Sequence, residues 1–231
     1  MKKIGLIGGM SWESSVEYYR LINEEVKLKL GGLHSAECLL YSVDFDKIEF
    51  YMRNDQWDSI LQILVAAAKT LENGGADFII LCTNTMHKLA EQIQKEITVA
   101  LLHIADATAD EITKAKIKKV GLLGTRPTME QNFYRNGLEE KEIQVLIPNE
   151  IDREIVHDII FKELCLGTIK QESRLEFKRI IEKLVLMGAD GIILGCTEIP
   201  LLVKKEDSKV PLFDTTYIHA IRAVEKSLNI I

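Results

Sequence analysis

Gly75-Ala76-Asp77-Phe78-Ile79-Ile80-Leu81-Cys82-Thr83 returns, with few changes, as Gly188-Ala189-Asp190-Gly191-Ile192-Ile193-Leu194-Gly195-Cys196-Thr197. Outward from this pair, Lys2-Lys3-Ile4-Gly5-Leu6-Ile7-Gly8 is echoed by Lys118-Lys119-Val120-Gly121-Leu122-Leu123-Gly124, and Val99-Ala100-Leu101-Leu102 by Val210-Pro211-Leu212-Phe213. Three echoes in one order, at near-constant spacing, point to an internal duplication. The echoed runs are short and aliphatic, as strands covered by helices on both faces should be.

The rest of the chain fits the same pattern. Strands are expected at residues 4–7, 37–43, 78–81, 99–102, 120–123, 144–147, 191–194 and 210–213. Amphipathic helical stretches are expected at 14–29, 57–73, 85–96, 105–115, 128–139, 150–166, 172–187 and 216–228. Such alternation implies βαβ units and parallel sheets. The expected fold is α/β with two similar domains, 1–100 and 101–210, and no Pro/Gly/Ser-rich linker marks their junction near residue 100.

Composition narrows the function. The 231 residues, 47% hydrophobic and 28% charged, suit a globular enzyme. The net charge of −6, without a dense basic block, argues against a nucleic-acid partner. The longest apolar runs fall short of a membrane span. The opening Met1-Lys2-Lys3-Ile4-Gly5 leads into a short, glycine-broken run unlike a secretory leader, so the expectation is a cytoplasmic protein without a membrane partner. The four cysteines, Cys38, Cys82, Cys165 and Cys196, form no C-x-x-C, and reduced thiols are expected.

In parallel sheets, ligands bind beyond the carboxyl ends of the strands. Four loops fall there: Gly8-Gly9-Met10-Ser11, Cys82-Thr83-Asn84-Thr85, Gly124-Thr125-Arg126-Pro127-Thr128 and Gly195-Cys196-Thr197-Glu198. Their backbone N–H groups suit a carboxylate. Gly5-Leu6-Ile7-Gly8-Gly9-Met10 is not a dinucleotide fingerprint, because Ile7 stands where G-x-G-x-x-G needs glycine. Cys82 and Cys196 each end an aliphatic strand, precede threonine and occupy corresponding places in the repeat. A following helix N-terminus should lower a thiol's pKa. Two like groups facing each other across a carbon acid could exchange acid and base roles, which is what racemisation requires. The residues alone leave three readings open: such a pair, two buried strand-end cysteines, or one nucleophile. His87 could steady a thiolate or be an ordinary helical histidine. Glu198 could tune Cys196 or cap a helix. Tyr18, Tyr19, Trp12 and Trp57 read as packing. His34, His103, His157 and His219 have no metal-binding spacing, so no metal is expected.

Cys82-Thr83-Asn84-Thr85-Met86-His87 and Gly195-Cys196-Thr197-Glu198-Ile199 resemble the two signature motifs of the aspartate/glutamate racemase family. Gly8-Gly9-Met10 and Gly121-Leu122-Leu123-Gly124-Thr125 resemble its first and third loops, and the resemblance runs from Lys3 to about Ala223. It implies two flavodoxin-like domains related by a pseudo-twofold axis, with the active site between them and residues 211–231 returning to the first domain. It implies a cofactor-independent, pyridoxal-free inversion of an amino acid at Cα, with Cys82 and Cys196 as acid and base. Thr83, Asn84, Thr85, Thr125 and Thr197, with the Gly9-Met10 backbone and Glu198 nearby, would hold the substrate. Lys162 or Arg53 would meet a side-chain carboxylate, and a homodimer is implied. Gly-Met-Ser-Trp-Glu-Ser at 9–14, and Glu198 where glutamate racemases carry histidine, match the broad-specificity branch. A carboxylate-binding protein without catalysis and a hydantoin racemase are the competing expectations; a single-thiol decarboxylase is disfavoured by the second cysteine.

Overall fold

A computed structural model of the chain describes residues 1–230. Among them, two four-stranded parallel sheets form. The first holds β1 (Ile4–Gly8), β2 (Cys38–Ser42), β3 (Phe78–Leu81) and β4 (Ala100–Leu102), in the order β2-β1-β3-β4. The second holds β5 (Lys119–Gly124), β6 (Gln144–Leu146), β7 (Gly191–Gly195) and β8 (Leu212–Asp214), in the order β6-β5-β7-β8. The same order with the same parallel pairing is what the sequence echoes imply. The chain forms two compact units, Met1–His103 with the stretch from His219 onward, and Ile104–Ile218.

The strand sequences explain the orders. β1 and β3 are buried along their whole length, and so is β7; these runs carry only apolar side chains and glycine, and they take central places. β2, Cys-Leu-Leu-Tyr-Ser, is half-buried to exposed and lies at an edge. In the first sheet Ile4, Leu6, Phe78 and Ile80 face Tyr18, Ile22 and Val26 of the helix Trp12–Leu30, with Ala220, Ala223 and Val224. Ile7, Ile79 and Leu81 face Ile60, Leu64, Ala67 and Leu71 of the helix Trp57–Asn73. The second sheet divides the same way. Leu123, Ile192 and Leu194 meet Val156, Phe177, Ile180 and Leu184, whereas Val120, Leu122 and Ile193 meet Ile104, Ile112, Tyr134 and Leu138. Burying one such aliphatic side chain contributes about 1.5–3 kcal/mol.

The helices depart from expectation in particular places. The stretch 85–96 becomes a 3-10 turn, Thr85–Leu89, followed by a short α-helix, Ala90–Gln94. The stretch 128–139 divides into Arg126–Glu130 and Asn132–Glu139. The 150–166 helix ends at Lys162, and the chain turns out at Gly167, whose φ is +70°. A helix at Phe45–Arg53 had no counterpart in the sequence reading; it buries only Ile48, so its apolar signal is weak. The return to the first unit begins at His219 and not at 211, because β8 pairs with β7 in the second sheet. Trp12 is largely exposed, against the expectation of packing.

The loop after β1 is fixed by one glycine. Gly9 has φ +90°, and a Cβ there would lie 2.2 Å from the Val43 carbonyl oxygen and 2.6 Å from its nitrogen. Gly9→Ala should destabilise the protein by about 1–3 kcal/mol, since both the dihedral and the contact are backbone constraints. Thermal unfolding read by circular dichroism checks this; an unchanged Tm would show that the loop can move off residue 43.

Candidate active site

Both sheets place their polar loops where the strand order reverses, at the carboxyl ends of the two central strands. In the first unit these are the loops after β1 and β3. Gly9 N–H donates to Ser15 Oγ at 2.7 Å, and Ser15 Oγ–H donates to the Ser11 carbonyl at 3.2 Å. Ser11 caps the helix Trp12–Leu30. Ser14 Oγ–H donates to the Cys82 carbonyl at 2.8 Å, and Cys82 N–H donates to the Ile7 carbonyl at 2.9 Å. Cys82 is therefore held by a β-type bond on one side and a helix hydroxyl on the other. Met10, Cys82, Thr83, Asn84 and Thr85 are all buried. This unit thus collects six of the expected site residues, Gly9 included, on two adjacent strand ends.

The second unit collects four more. Thr125 follows β5, and its hydroxyl lies 3.1 Å from that of Thr128. Cys196, Thr197 and Glu198 follow β7, and all are buried. Gly124 and Gly195 are paired in register, and a Cβ on either would meet a backbone oxygen of the neighbouring strand, Gly195 O at 2.8 Å or Leu123 O at 2.9 Å. The two strand ends can approach only because both are glycine. Glu198 turns back on its neighbours: Cys196 Sγ–H donates to Oε2 at 2.9 Å, and Thr197 Oγ1–H donates to the same oxygen at 2.7 Å. Glu198 stands at the N-cap position of Ile199–Leu202 without a side-chain cap bond, and its carboxylate is bonded to the thiol.

Burial governs the electrostatics. It pushes the Cys82 thiol far up, with a smaller upward push from Cys38. It pushes Cys196 up as well, reinforced by the negative charge of Glu198 and by Cys165. This reverses the expectation of lowered thiol pKa values. The helical segments that follow are too short to matter: Thr85–Leu89 is a 3-10 turn and Ile199–Leu202 has four residues. Removal from water dominates in their place.

The two cysteines are also less equivalent than the repeat implied. Aligned on their strands, Gly195 stands where Cys82 stands, and Cys196 is one residue further on. One step along a strand exchanges the sheet face. Cys82 accordingly packs with Ile80 and Phe78 against the Trp12–Leu30 helix, whereas Cys196 packs with Leu194 and Ile192 on the face covered by Phe177 and Ile180.

The two expected cations are each paired within their own helix. Arg53, at the end of the helix Phe45–Arg53, is 2.6 Å from Glu49 with its side chain 67% exposed; Lys162 is 2.8 Å from Asp158 with its side chain 70% exposed. The sequence reading missed Ser14, Ser15 and Thr128, hydroxyls one helical turn inside each loop, and it missed that His87 is buried, 4.7 Å from the His103 ring and 5.6 Å from that of His219. Among the described residues, no three His, Cys, Asp or Glu side chains are grouped to hold a metal ion, and no helix is long and apolar enough to cross a membrane.

Known proteins share this fold. A solved structure from Yersinia pestis, described as a candidate Asp/Glu racemase, is 55% identical, with TM-score 0.92 over 99% of this chain and 100% of that one. An aspartate racemase homologue from Pyrococcus horikoshii is 38% identical, with TM-score 0.85 over 99% and 100%. The broad-specificity amino-acid racemase RacX of Bacillus subtilis is 26% identical over 221 residues, 92% of each chain. The sequence profile of Asp/Glu/hydantoin racemases matches residues 7–223. With the family's signature loops at the ends of β1, β3, β5 and β7, the chain belongs to the Asp/Glu/hydantoin racemase family and is an amino-acid racemase of the kind that works without pyridoxal phosphate.

Proposed function

We propose that the chain inverts Cα of an acidic amino acid, aspartate or glutamate, with Cys82 and Cys196 as the acid–base pair. The observation that carries this reading is a buried Cys-Thr pair at the end of a central strand in each unit of a racemase-family chain. One thiolate removes the Cα proton from one face and becomes a thiol; the other thiol donates its proton to the opposite face and becomes a thiolate. For the other enantiomer the roles exchange. The carbanion's charge passes into the substrate carboxylate, which donors from Thr83, Asn84, Thr85, Thr125 and Thr197, with the Gly9-Met10 backbone, would stabilise.

The raised thiol pKa values fit this chemistry. A thiolate of high pKa is scarce but a strong base, and a carbon acid needs a strong base. The substrate brings its own ammonium group, whose positive charge beside a buried sulfur favours the ionised form. Base strength would therefore be released when substrate arrives. Glu198 adds a second reason for Cys196 to hold its proton at rest, since its carboxylate accepts the Sγ–H.

A homodimer in the cytoplasm completes the proposal. Four free thiols suit a reducing compartment. Trp12, Val16 and Tyr19, spaced along one face of the first helix and each more than half exposed, offer an apolar stripe to a second copy.

Cys82→Ser and Cys196→Ser should each lower racemisation by about 10²–10⁴-fold, because inversion needs both faces. Each should still exchange Cα hydrogen of one enantiomer with D2O, and the two variants should retain opposite enantiomers, as NMR can read. Near-normal racemisation in either would leave a one-thiol or binding-only protein.

Glu198→Gln removes the negative charge that helps hold Cys196 protonated, so its thiol pKa should fall. Alkylation of Cys196 by iodoacetamide, followed by mass spectrometry across pH, should begin at lower pH, and racemisation should drop roughly tenfold, about 1.4 kcal/mol. An unmoved alkylation profile would remove Glu198 from the mechanism.

Across a panel of amino acids, aspartate or glutamate should give the highest kcat/KM. The ion pairs of Arg53 and Lys162 are exposed and worth well under 1 kcal/mol, so either cation could leave its partner for a substrate carboxylate. A loss above tenfold on Arg53→Ala or on Lys162→Ala, confined to acidic substrates, would say which one does; a better neutral or basic substrate would contradict the assignment.

A further inference from the structure

Behind the Cys82 loop lies a group that the proton transfers described above do not use. His87, His103 and His219 meet ring to ring: His87 is 4.7 Å from His103 and 5.6 Å from His219, centroid to centroid, both edge-on. Tyr18 meets His219 edge-on at 5.7 Å. His87, His219 and Tyr18 are buried, and His103 is half-buried. The rings come from four separate parts of the fold: Tyr18 from the helix after β1, His87 from the turn after Cys82, His103 from the end of β4, and His219 from the helix Thr215–Ser227. His103 is also the last residue before the chain leaves this unit, and His219 the first on its return.

The hydrogen bonds give the cluster a direction. His219 Nε2 lies 3.0 Å from the Leu102 carbonyl, and His87 Nδ1 lies 2.8 Å from the Thr83 carbonyl. A carbonyl can only accept, so each ring meets its carbonyl through an N–H, and His87 has a second backbone carbonyl, that of Leu102, as a partner. Burial holds both rings uncharged, bringing His219 down to about 3 and His87 well below its ordinary value; in His87 the neighbouring His103 and His219 add to the effect. A neutral His219 protonated at Nε2 has an open lone pair at Nδ1, and Tyr18 Oη lies 2.8 Å from it, placed to donate. Tyr18, His219 and Leu102 thus form a chain with one consistent donor sense.

Its consequence falls on Cys82. The Thr83 carbonyl belongs to the peptide that directly follows the Cys82–Thr83 unit, and His87 N–H also donates to the Asn84 carbonyl at 3.1 Å. His87 therefore fixes the far side of the loop, while Ser14 fixes the Cys82 carbonyl on the near side. Among the described residues, the Cys196 side chain is bonded instead to the carboxylate of Glu198.

We infer that His87 is a positioning residue for Cys82, acting through the Thr83 carbonyl and held in orientation by the edge-on rings of His103 and His219, the latter bonded to Tyr18. The inference rests on the two-thiol reading and adds to it that the two sulfurs are held by different devices. A loosened Cys82 loop should impair the proton transfer at Cys82 and spare the one at Cys196.

The test is His87→Leu, close in size but without a donor, beside His87→Asn, whose side-chain amide can reproduce the Nδ1–H. Cα hydrogen exchange in D2O is followed for each enantiomer separately, and the Cys82→Ser variant identifies which enantiomer depends on Cys82. Placed in the Cys196→Ser background, where Cys82 alone exchanges Cα hydrogen, His87→Leu should lose at least tenfold in exchange; placed in the Cys82→Ser background, where Cys196 alone acts, it should stay within about twofold. His87→Asn should recover most of the loss, and Tyr18→Phe, which keeps the ring and removes only the hydroxyl, should show a several-fold loss of the same selectivity. Equal loss in both backgrounds for the folded Asn and Phe variants, or no loss in any, would overturn the inference while leaving racemisation by the wild type intact. A wild-type chain that exchanges neither enantiomer would overturn the racemase mechanism itself and this inference with it.

Discussion

A thiol with no water around it gives up its proton reluctantly, and both Cys82 and Cys196 are in that position. The same burial that hides them keeps β1, β3 and β7 free of polar side chains, so polar groups are confined to the strand ends. Everything the loops offer follows from this. Their serines and threonines satisfy the carbonyls and amides that the sheets leave unpaired, as Ser14 does for Cys82 and Ser15 for Gly9. What is left at each strand end is a sulfur that is weakly acidic at rest and strongly basic once ionised. On the proposed reading, the substrate's own charge switches such a site on, and burial keeps a reactive thiolate from forming without it.

Duplication did not leave the two halves alike. The extra glycine at 195 moves Cys196 one position along its strand and onto the opposite sheet face relative to Cys82. Glycine is required there, since a Cβ at 195 would lie 2.9 Å from the Leu123 carbonyl oxygen. The surroundings then diverge. Cys196 has a carboxylate within hydrogen-bonding distance, and the loop of Cys82 is backed by neutral rings. Two chemically identical acids placed in different fields need not share the work equally, and a racemase must only ensure that the complete cycle returns each to its starting state.

Most of the fold was legible because its signals are local. Short apolar runs marked every strand to within about two residues, and the echo of residues 75–83 at 188–197 announced two like sheets. The weak points had weak signals. The Phe45–Arg53 helix buries one residue, and the break at Lys162 depends on a left-handed Gly167 that a helical period does not register. In the site, residue types that sit directly after a strand were found, whereas those one helical turn further on, Ser14, Ser15 and Thr128, were passed over as ordinary helix starts. The thiol pKa direction was misjudged because a sequence shows that a helix follows but not that it is one turn long. The histidine cluster was invisible for a different reason: residues 18, 87, 103 and 219 have no spacing in common and meet only through tertiary packing.

The central claim is that two different groups serve the two faces of Cα. It is tested most directly by converting a single pure enantiomer in D2O with the wild-type protein and reading the earliest product and the remaining substrate by NMR and chiral separation. The account predicts deuterium at Cα in essentially every product molecule while the remaining substrate still carries protium, because the proton removed stays on one sulfur and the product receives its hydrogen from the other. Equal deuterium in substrate and product from the first turnovers, or product that retains the original proton, would contradict it.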